Sequence, residues 1–324
     1  MNTAIMKPAS CRLACAILLM LGCGQALAAA GLATRDLNPI LQSVYLPTLV
    51  PIAEGDGWRL DHSLYITNTL QDESKDGEDL LIDVENYRYE FALRNRRGNW
   101  ITQLDIPLIA NEAGKLDNLI DSWHDFFGLP EGRRDRFAND RIAIEYRRDG
   151  GVEYSQTASS SGLGDLSLAL GYQRPGETAY FIGLELPTGS DDDYSGNEAV
   201  DYAVWMTREL PLDTRTIAFG MLGLSFPGDG GNLEGLLVDY IWVAQAGMEY
   251  RFYDDLVATV QLDLHSRSIE DSRLDAFGNS VQIQLGLGFL EVFEQHRLDL
   301  FFSEDILVGS APDITFGLRL ARQF

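Results

Sequence analysis

Histidine beside serine is the first pattern in this sequence with chemical content, because a general base next to a hydroxyl is where an acyl-transfer site begins. Four histidines are present, His62, His124, His265 and His296. His62 precedes Ser63 and His265 precedes Ser266, yet neighbours on a strand point to opposite faces, so neither pair is placed for proton transfer. No G-x-S-x-G, H-E-x-x-H or phosphate-cradling glycine loop occurs. Asp191-Asp192-Asp193-Tyr194-Ser195-Gly196 has the oxygen spacing that opens a calcium loop, but Tyr202 stands where the bidentate glutamate belongs. All three cysteines, Cys11, Cys15 and Cys23, lie near the start of the chain. The expectation is therefore a protein that is not an enzyme, with no cofactor and no metal centre.

The remaining polar residues gain meaning from the elements that carry them. From Trp58 onward the dominant hydrophobic period is two, the pattern of a sheet with one apolar face. Val281, Ile283, Leu285, Leu287 and Phe289 alternate with Gln282, Gln284, Gly286 and Gly288. Leu256, Ala258, Val260, Leu262 and Leu264 alternate with Thr259, Gln261, Asp263 and His265. Each such segment is about nine to eleven residues, the length of a tilted strand crossing a bilayer. Tight turns at Arg96–Asn99, Arg174–Glu177, Leu210–Thr214 and Tyr253–Asp255 alternate with long stretches at Gln71–Asp79, Ala110–Asp140, Gly189–Glu198, Pro227–Asp239 and Ser266–Asn279. Short turns on one side and long loops on the other mark a transmembrane barrel. The pattern predicts an all-β fold, an antiparallel transmembrane β-barrel of 12 to 14 strands. Twelve strands are clear, and a shorter hairpin at Arg141–Arg148 and Gly151–Thr157 is expected to stand above the membrane.

Closure of such a barrel turns one register outward to lipid and the other inward. The inward register carries Asp61, Ser63, Tyr65, Arg88, Glu90, Arg94, Asp105, Asp165, Glu185, Gln245, Glu249, Arg251, Asp263, Gln282, Gln284, Asp299 and Arg319. The charged members are the candidate lumen lining. Gly171, Gly183, Gly286, Gly288 and Gly317 on the same register are expected to leave space between the charges. Trp58, Trp100, Tyr172, Tyr240 and Tyr250 suit the interfacial girdles. His62 is the misfit, since it falls between Leu60 and Leu64 on the lipid register. Either it lies near an interface or the register of that strand is wrong.

Residues 1–30 read as a secretory signal: Lys7 and Arg12 precede an apolar run at Leu13–Leu21, and Ala26-Leu27-Ala28 offers a cleavage pattern. Leu21-Gly22 before Cys23 is a competing lipid-anchor pattern, with Met20 ill-suited to it. Residues 31–57, with three prolines between Leu37 and Pro51, form either a periplasmic lead-in or a plug tucked into the barrel, which spans residues 58–324. Leu116, Leu119, Ile120, Trp123, Phe126 and Phe127 predict one short amphipathic helix in the longest loop. The last strand places Phe316, Leu318, Leu320 and the terminal Phe324 on one face, similar to the signal read by the bacterial barrel assembly machinery, although Arg322 departs from it.

Acidic residues outnumber basic ones 49 to 25, a net charge of −24 that excludes a nucleic-acid partner. The expected surroundings are outer-membrane lipid and lipopolysaccharide. Divalent cations are expected to meet the loop acids Asp72, Glu73, Asp76, Glu78 and Asp79 and the Asp191–Asp193 run.

Four stretches carry a resemblance: Asn38-Pro39-Ile40-Leu41-Gln42, Ser122 through Pro130, Ser160 through Asp165, and Leu186-Pro187-Thr188-Gly189. Together they resemble an uncharacterised proteobacterial outer-membrane β-barrel family, a domain of unknown function, across essentially the whole exported chain. The Gly162-Leu163-Gly164-Asp165 and Leu186-to-Gly189 pieces are also similar to motifs of barrels that transport aromatic hydrocarbons or fatty acids. The resemblance implies location and fold, and supplies no catalytic residues. The leading functional expectation is a channel or passive transporter for a small solute. The alternatives are a non-conducting surface barrel for adhesion or envelope organisation, and an outer-membrane lipid hydrolase.

Overall fold

The computed structural model describes residues 31–49, 55–114, 141–293, 296–307 and 309–324. The expected signal peptide and the helix predicted over Leu116–Phe127 lie outside the described residues. The alternating segments become strands β1 (Gly57–Lys75), β2 (Glu78–Arg97), β3 (Trp100–Glu112), β4 (Ala143–Arg148), β5 (Gly151–Gln156), β6 (Ser160–Leu163), β7 (Leu166–Tyr172), β8 (Ala179–Leu186), β9 (Asp201–Pro211), β10 (Thr216–Phe226), β11 (Ile241–Tyr253), β12 (Leu256–His265), β13 (Ser280–Val292), β14 (His296–Asp305) and β15 (Ile314–Gln323).

Twelve of them, β1 to β3 and β7 to β15, pair antiparallel in chain order. The ring closes between β15 and β1, from Arg59 opposite Gln323 to Asn68 opposite Ile314. Closure leaves no unpaired edge, the condition for crossing hydrocarbon with strands. The three remaining strands extend the wall. The hairpin β4–β5 pairs with the far part of β2, from Glu78 opposite Arg148 to Asp83 opposite Ala143. β6 continues the line of β7 along β3, and the two are parted where Pro107 offers no N–H to the ladder. There the Gly164 amide donates to the Pro107 carbonyl at 2.8 Å.

Two expectations change. Gln71–Asp79 is not a loop: β1 and β2 stay paired to Lys75 opposite Glu78. Their two-residue turn uses Asp76 and Gly77 at φ 51° and 90°, the positive angles of a tight hairpin. Polar residues there did not signal strand because this part of the hairpin stands beyond the lipid belt. The lumen glycines do not leave space either. Gly171 lies opposite Phe181, Gly317 opposite Phe301, Gly247 opposite Phe219 and Gly223 opposite Trp205. In the three phenylalanine pairs the ring folds across the glycine, where a Cβ would collide with it, and at Gly223 a Cβ would meet the Trp205 Cβ. Gly317→Ala is therefore expected to destabilise the barrel by about 1–3 kcal/mol through overpacking against the Phe301 ring. Adding Phe301→Leu should recover part of that loss, read as the urea midpoint of the barrel refolded in lipid.

Face assignment follows the pleat. Along β12, Val257, Thr259, Gln261, Asp263 and His265 are buried, while Val260 and Leu262 are exposed to the outside. His62 keeps the outward phase between buried Asp61 and Ser63, so the register of β1 stands, and its Nδ1 meets the Tyr89 hydroxyl. Trp58, Trp100, Tyr240 and Tyr250 are exposed at strand ends, with Trp100 packed edge-on against Tyr172 at 5.1 Å. Phe316, Leu318, Leu320 and Phe324 share the outward face of the last strand, alternating with buried Thr315, Gly317, Arg319 and Ala321.

Candidate functional site

Residues 31–49 lie inside the barrel. The segment climbs along β12, where Leu32 N donates to Gln261 Oε1 at 2.9 Å and Gln261 Nε2 returns a bond to the Leu32 carbonyl at 3.0 Å. A side-chain amide thus does for one plug residue what a neighbouring strand does for a ladder residue. Thr34 Oγ1 donates to Asp263 at 2.6 Å, and Gln245 Nε2 donates to the Thr34 carbonyl at 2.6 Å. At the outer end His265 Nε2 lies 2.8 Å from an Asp36 carboxylate oxygen while Nδ1 lies 2.7 Å from the Ser266 carbonyl. The chain crosses beneath the β2 and β3 ends, with Gln42 Nε2 donating to Asn111 Oδ1 at 3.0 Å. It descends past β9, where Tyr45 N donates to Asp201 at 2.9 Å, and reaches Leu49, whose N–H donates to Gln245 Oε1 at 2.6 Å.

The apolar residues of the segment are spaced without strand or helix period, and each finds its own pocket. Leu32 and Leu37 cluster with Tyr65 and Phe301, and Ile40, Leu41, Val44, Tyr45, Leu46 and Leu49 join a core with Phe181, Trp205, Phe219 and Met221. Gly183 makes room for the Tyr45 and Trp205 rings, and Gly286 for Leu32.

Towards the short-turn end the lumen carries a buried ionic ladder. Arg59 Nε donates to Asp61 at 2.8 Å, and Arg94 bonds the other Asp61 oxygen. Arg297 donates to Glu249 at 2.6 Å and to Asp299 at 2.8 Å; Arg319 donates to Asp299 at 2.8 Å and to the Gly31 carbonyl at 3.0 Å. The charges are arranged so that each carboxylate is shared between or beside guanidinium groups, which offsets the cost of removing them from water.

Of the expected lumen residues, Arg88, Arg94, Asp105, Asp165, Glu185, Glu249, Asp263, Asp299 and Arg319 are buried, and Glu90 and Arg251 partly so. Arg88 pairs with Glu90 at 3.0 Å. Asp165 accepts the Gly189 and Asn197 amides at 2.8 and 3.2 Å and so braces an outer loop. Arg59 and Arg297 belong to the same ladder and were absent from the expected set, although each sits two residues before an inward acid. In the acidic run, Asp193 accepts the Ser195 amide at 3.1 Å and packs over Gly162. Among the described residues no cluster of three metal-ligating side chains occurs.

A closed ring of twelve strands with an apolar outer face, aromatic ends and a polar interior defines the class: this is a bacterial outer-membrane β-barrel. Residues 10–324 match the family described as protein of unknown function (DUF3187), and the chain belongs to that family. No curated protein matches it. The fold is similar to the COG4313 outer membrane channel from Pseudomonas putida F1, with a TM-score of 0.55 and 14% identity over 84% of this chain and 97% of that one. The P. putida toluene transporter TodX aligns with a TM-score of 0.43 and 10% identity over 89% of this chain and 93% of that one.

Proposed function

We propose that the protein is a channel or passive transporter for a small solute, closed at rest by residues 31–49. The observation that carries this reading is the chemistry of the plug contact. A barrel filled only for stability is best packed with apolar side chains alone, whereas this plug, besides its apolar contacts, is tied to the wall by glutamine, aspartate and serine side chains. Water or a polar solute satisfies the same groups, so each bond contributes only about 1 kcal/mol against opening. The polar lumen offers a path once the plug shifts.

One observation favours a second reading, a non-conducting surface barrel: the lumen is occupied. The two differ in what happens when the segment is removed. The full chain in a planar bilayer should be nearly silent and the chain lacking residues 31–49 should conduct. A folded, silent deletion variant overturns the passage and leaves the surface barrel.

A hydrolase receives no support from the described histidines. His62 bonds Tyr89, His265 bonds Asp36 and a carbonyl, and His296 bonds the Phe293 carbonyl at 2.8 Å. None of these partners is a serine hydroxyl. Proposed surroundings are outer-membrane lipid and lipopolysaccharide, with divalent cations meeting the acidic outer loops and the assembly machinery reading the last strand.

A further inference from the structure

Between the plug and the wall formed by β2, β3, β7, β8 and β9 lies a cavity of about 30 Å³, lined by Arg35 and Tyr45 to Thr48 of the plug and by charged wall residues. It holds about two water molecules. Its lining contains buried polar atoms that lack a partner: Arg88 Nη1, Trp205 Nε1 and Arg35 Nε are donors, and Asp105 Oδ1 is an acceptor. Glu185 also lines it and is 4% exposed. Buried donors and acceptors left open are costly, so their convergence on one cavity indicates a place where something polar belongs.

The signs of these groups define what fits. The arginines and the indole N–H ask for an anionic acceptor; Asp105 and Glu185 ask for a cationic donor. We propose that this cavity is the recognition site for a small zwitterion, a molecule carrying a carboxylate and an ammonium group on one short frame, as an α-amino acid does. The carboxylate meets Arg88, Arg35 and Trp205, and the ammonium meets Asp105 and Glu185. The Trp205 ring, stacked on Phe181 at 5.1 Å, walls the apolar part.

This deepens the passage reading and rests on it for its physiological meaning, because the cavity admits water at rest and an amino acid only when the plug moves. Arg35 and Tyr45 belong to the plug, so a solute that binds the widened site better than the resting one shifts the plug outward by its own binding.

The test needs no variant at its centre. The full chain in detergent is titrated with L-alanine, propionate and n-propylamine, which share a short carbon skeleton and differ in charge, while tryptophan emission is followed. L-alanine should give a saturable change, lost in Trp205→Phe, and bind about tenfold or more tightly than either singly charged probe, as expected when one charge-assisted hydrogen-bond set is missing. Asp105→Asn should abolish the advantage over propionate, and Arg88→Met the advantage over propylamine. Equal binding of the three probes, or no saturable change, overturns the proposal. Uptake of labelled L-alanine into proteoliposomes separates the two readings. Binding without uptake keeps the site and removes the passage, and uptake without charge discrimination does the reverse.

Discussion

Deleting residues 31–49 is expected to convert a barrel that is almost always closed into one with discrete, frequent openings. The expectation follows from how evenly the plug is balanced. Thirteen hydrogen bonds join it to the wall among the described residues. It buries eight large apolar side chains, from Leu32 to Leu49. At about 1 kcal/mol net for each bond and about 2 kcal/mol for each side chain these contribute roughly 30 kcal/mol. Fixing nineteen residues costs about the same at about 1.5 kcal/mol each. A segment so nearly balanced is held without being locked, and the full chain should show rare openings of its own.

A covalent lock tests this without a deletion. Thr34 and Asp263 meet through a 2.6 Å hydrogen bond, which makes Thr34→Cys with Asp263→Cys the pair for a disulfide, its formation checked by thiol titration. The three native cysteines, Cys11, Cys15 and Cys23, are each replaced by Ser, so the new pair has no competitor. Oxidised, the double variant should lose even the rare openings; reductant should bring them back. Openings that persist in the oxidised form would show that current does not pass the plug.

The second large effect is on stability. Asp299→Ala is expected to lower the stability of the folded barrel by about 3–5 kcal/mol, because removing one partner of a buried ion pair leaves uncompensated charge. Asp299 accepts from Arg297 Nε at 2.8 Å and from Arg319 Nε and Nη2 at 3.0 and 2.8 Å, and all three residues are at most 1% exposed. Arg297 retains Glu249 after the change, but among the described residues Arg319 keeps only its hydrogen bond to the Gly31 carbonyl. Asp299→Asn preserves shape and one acceptor and should fall between. Disrupting the exposed Lys75–Asp275 pair by Asp275→Ala should leave the urea midpoint within scatter, since both partners face water. Equal shifts for Asp299→Ala and Asp275→Ala would show that the ladder contributes nothing specific.

The polar lumen has two layers, joined at one point. The ionic ladder at the short-turn end holds the wall, and the glutamine and aspartate contacts further out hold the plug. Loss of Asp299 reaches both layers through Arg319, whose guanidinium bridges the wall and the first plug carbonyl. Its conductance and its stability should therefore change together, whereas Gln261→Leu should loosen the plug with a smaller change in barrel stability.

Alternation along a strand is a local property: whichever strand lies alongside, Leu262 and Asp263 point to opposite faces, and a bilayer assigns the apolar one outward. For that reason the twelve clear strands of an expected 12 to 14, and the alternation of exposed and buried positions along them, were legible one segment at a time. The hairpin β4–β5 was legible too, because its arms are too short to cross. Residues 31–49 carry no such period, so nothing local distinguishes a segment hanging below the barrel from one folded into it. Only the barrel interior, with Gln245, Gln261, Asp263 and Asp201 placed at matching heights, decides between them. The glycines teach the same lesson. A missing side chain reads as empty space until cross-strand register sets Phe301 over Gly317 and Phe181 over Gly171, and register is a relation between strands that no single strand contains.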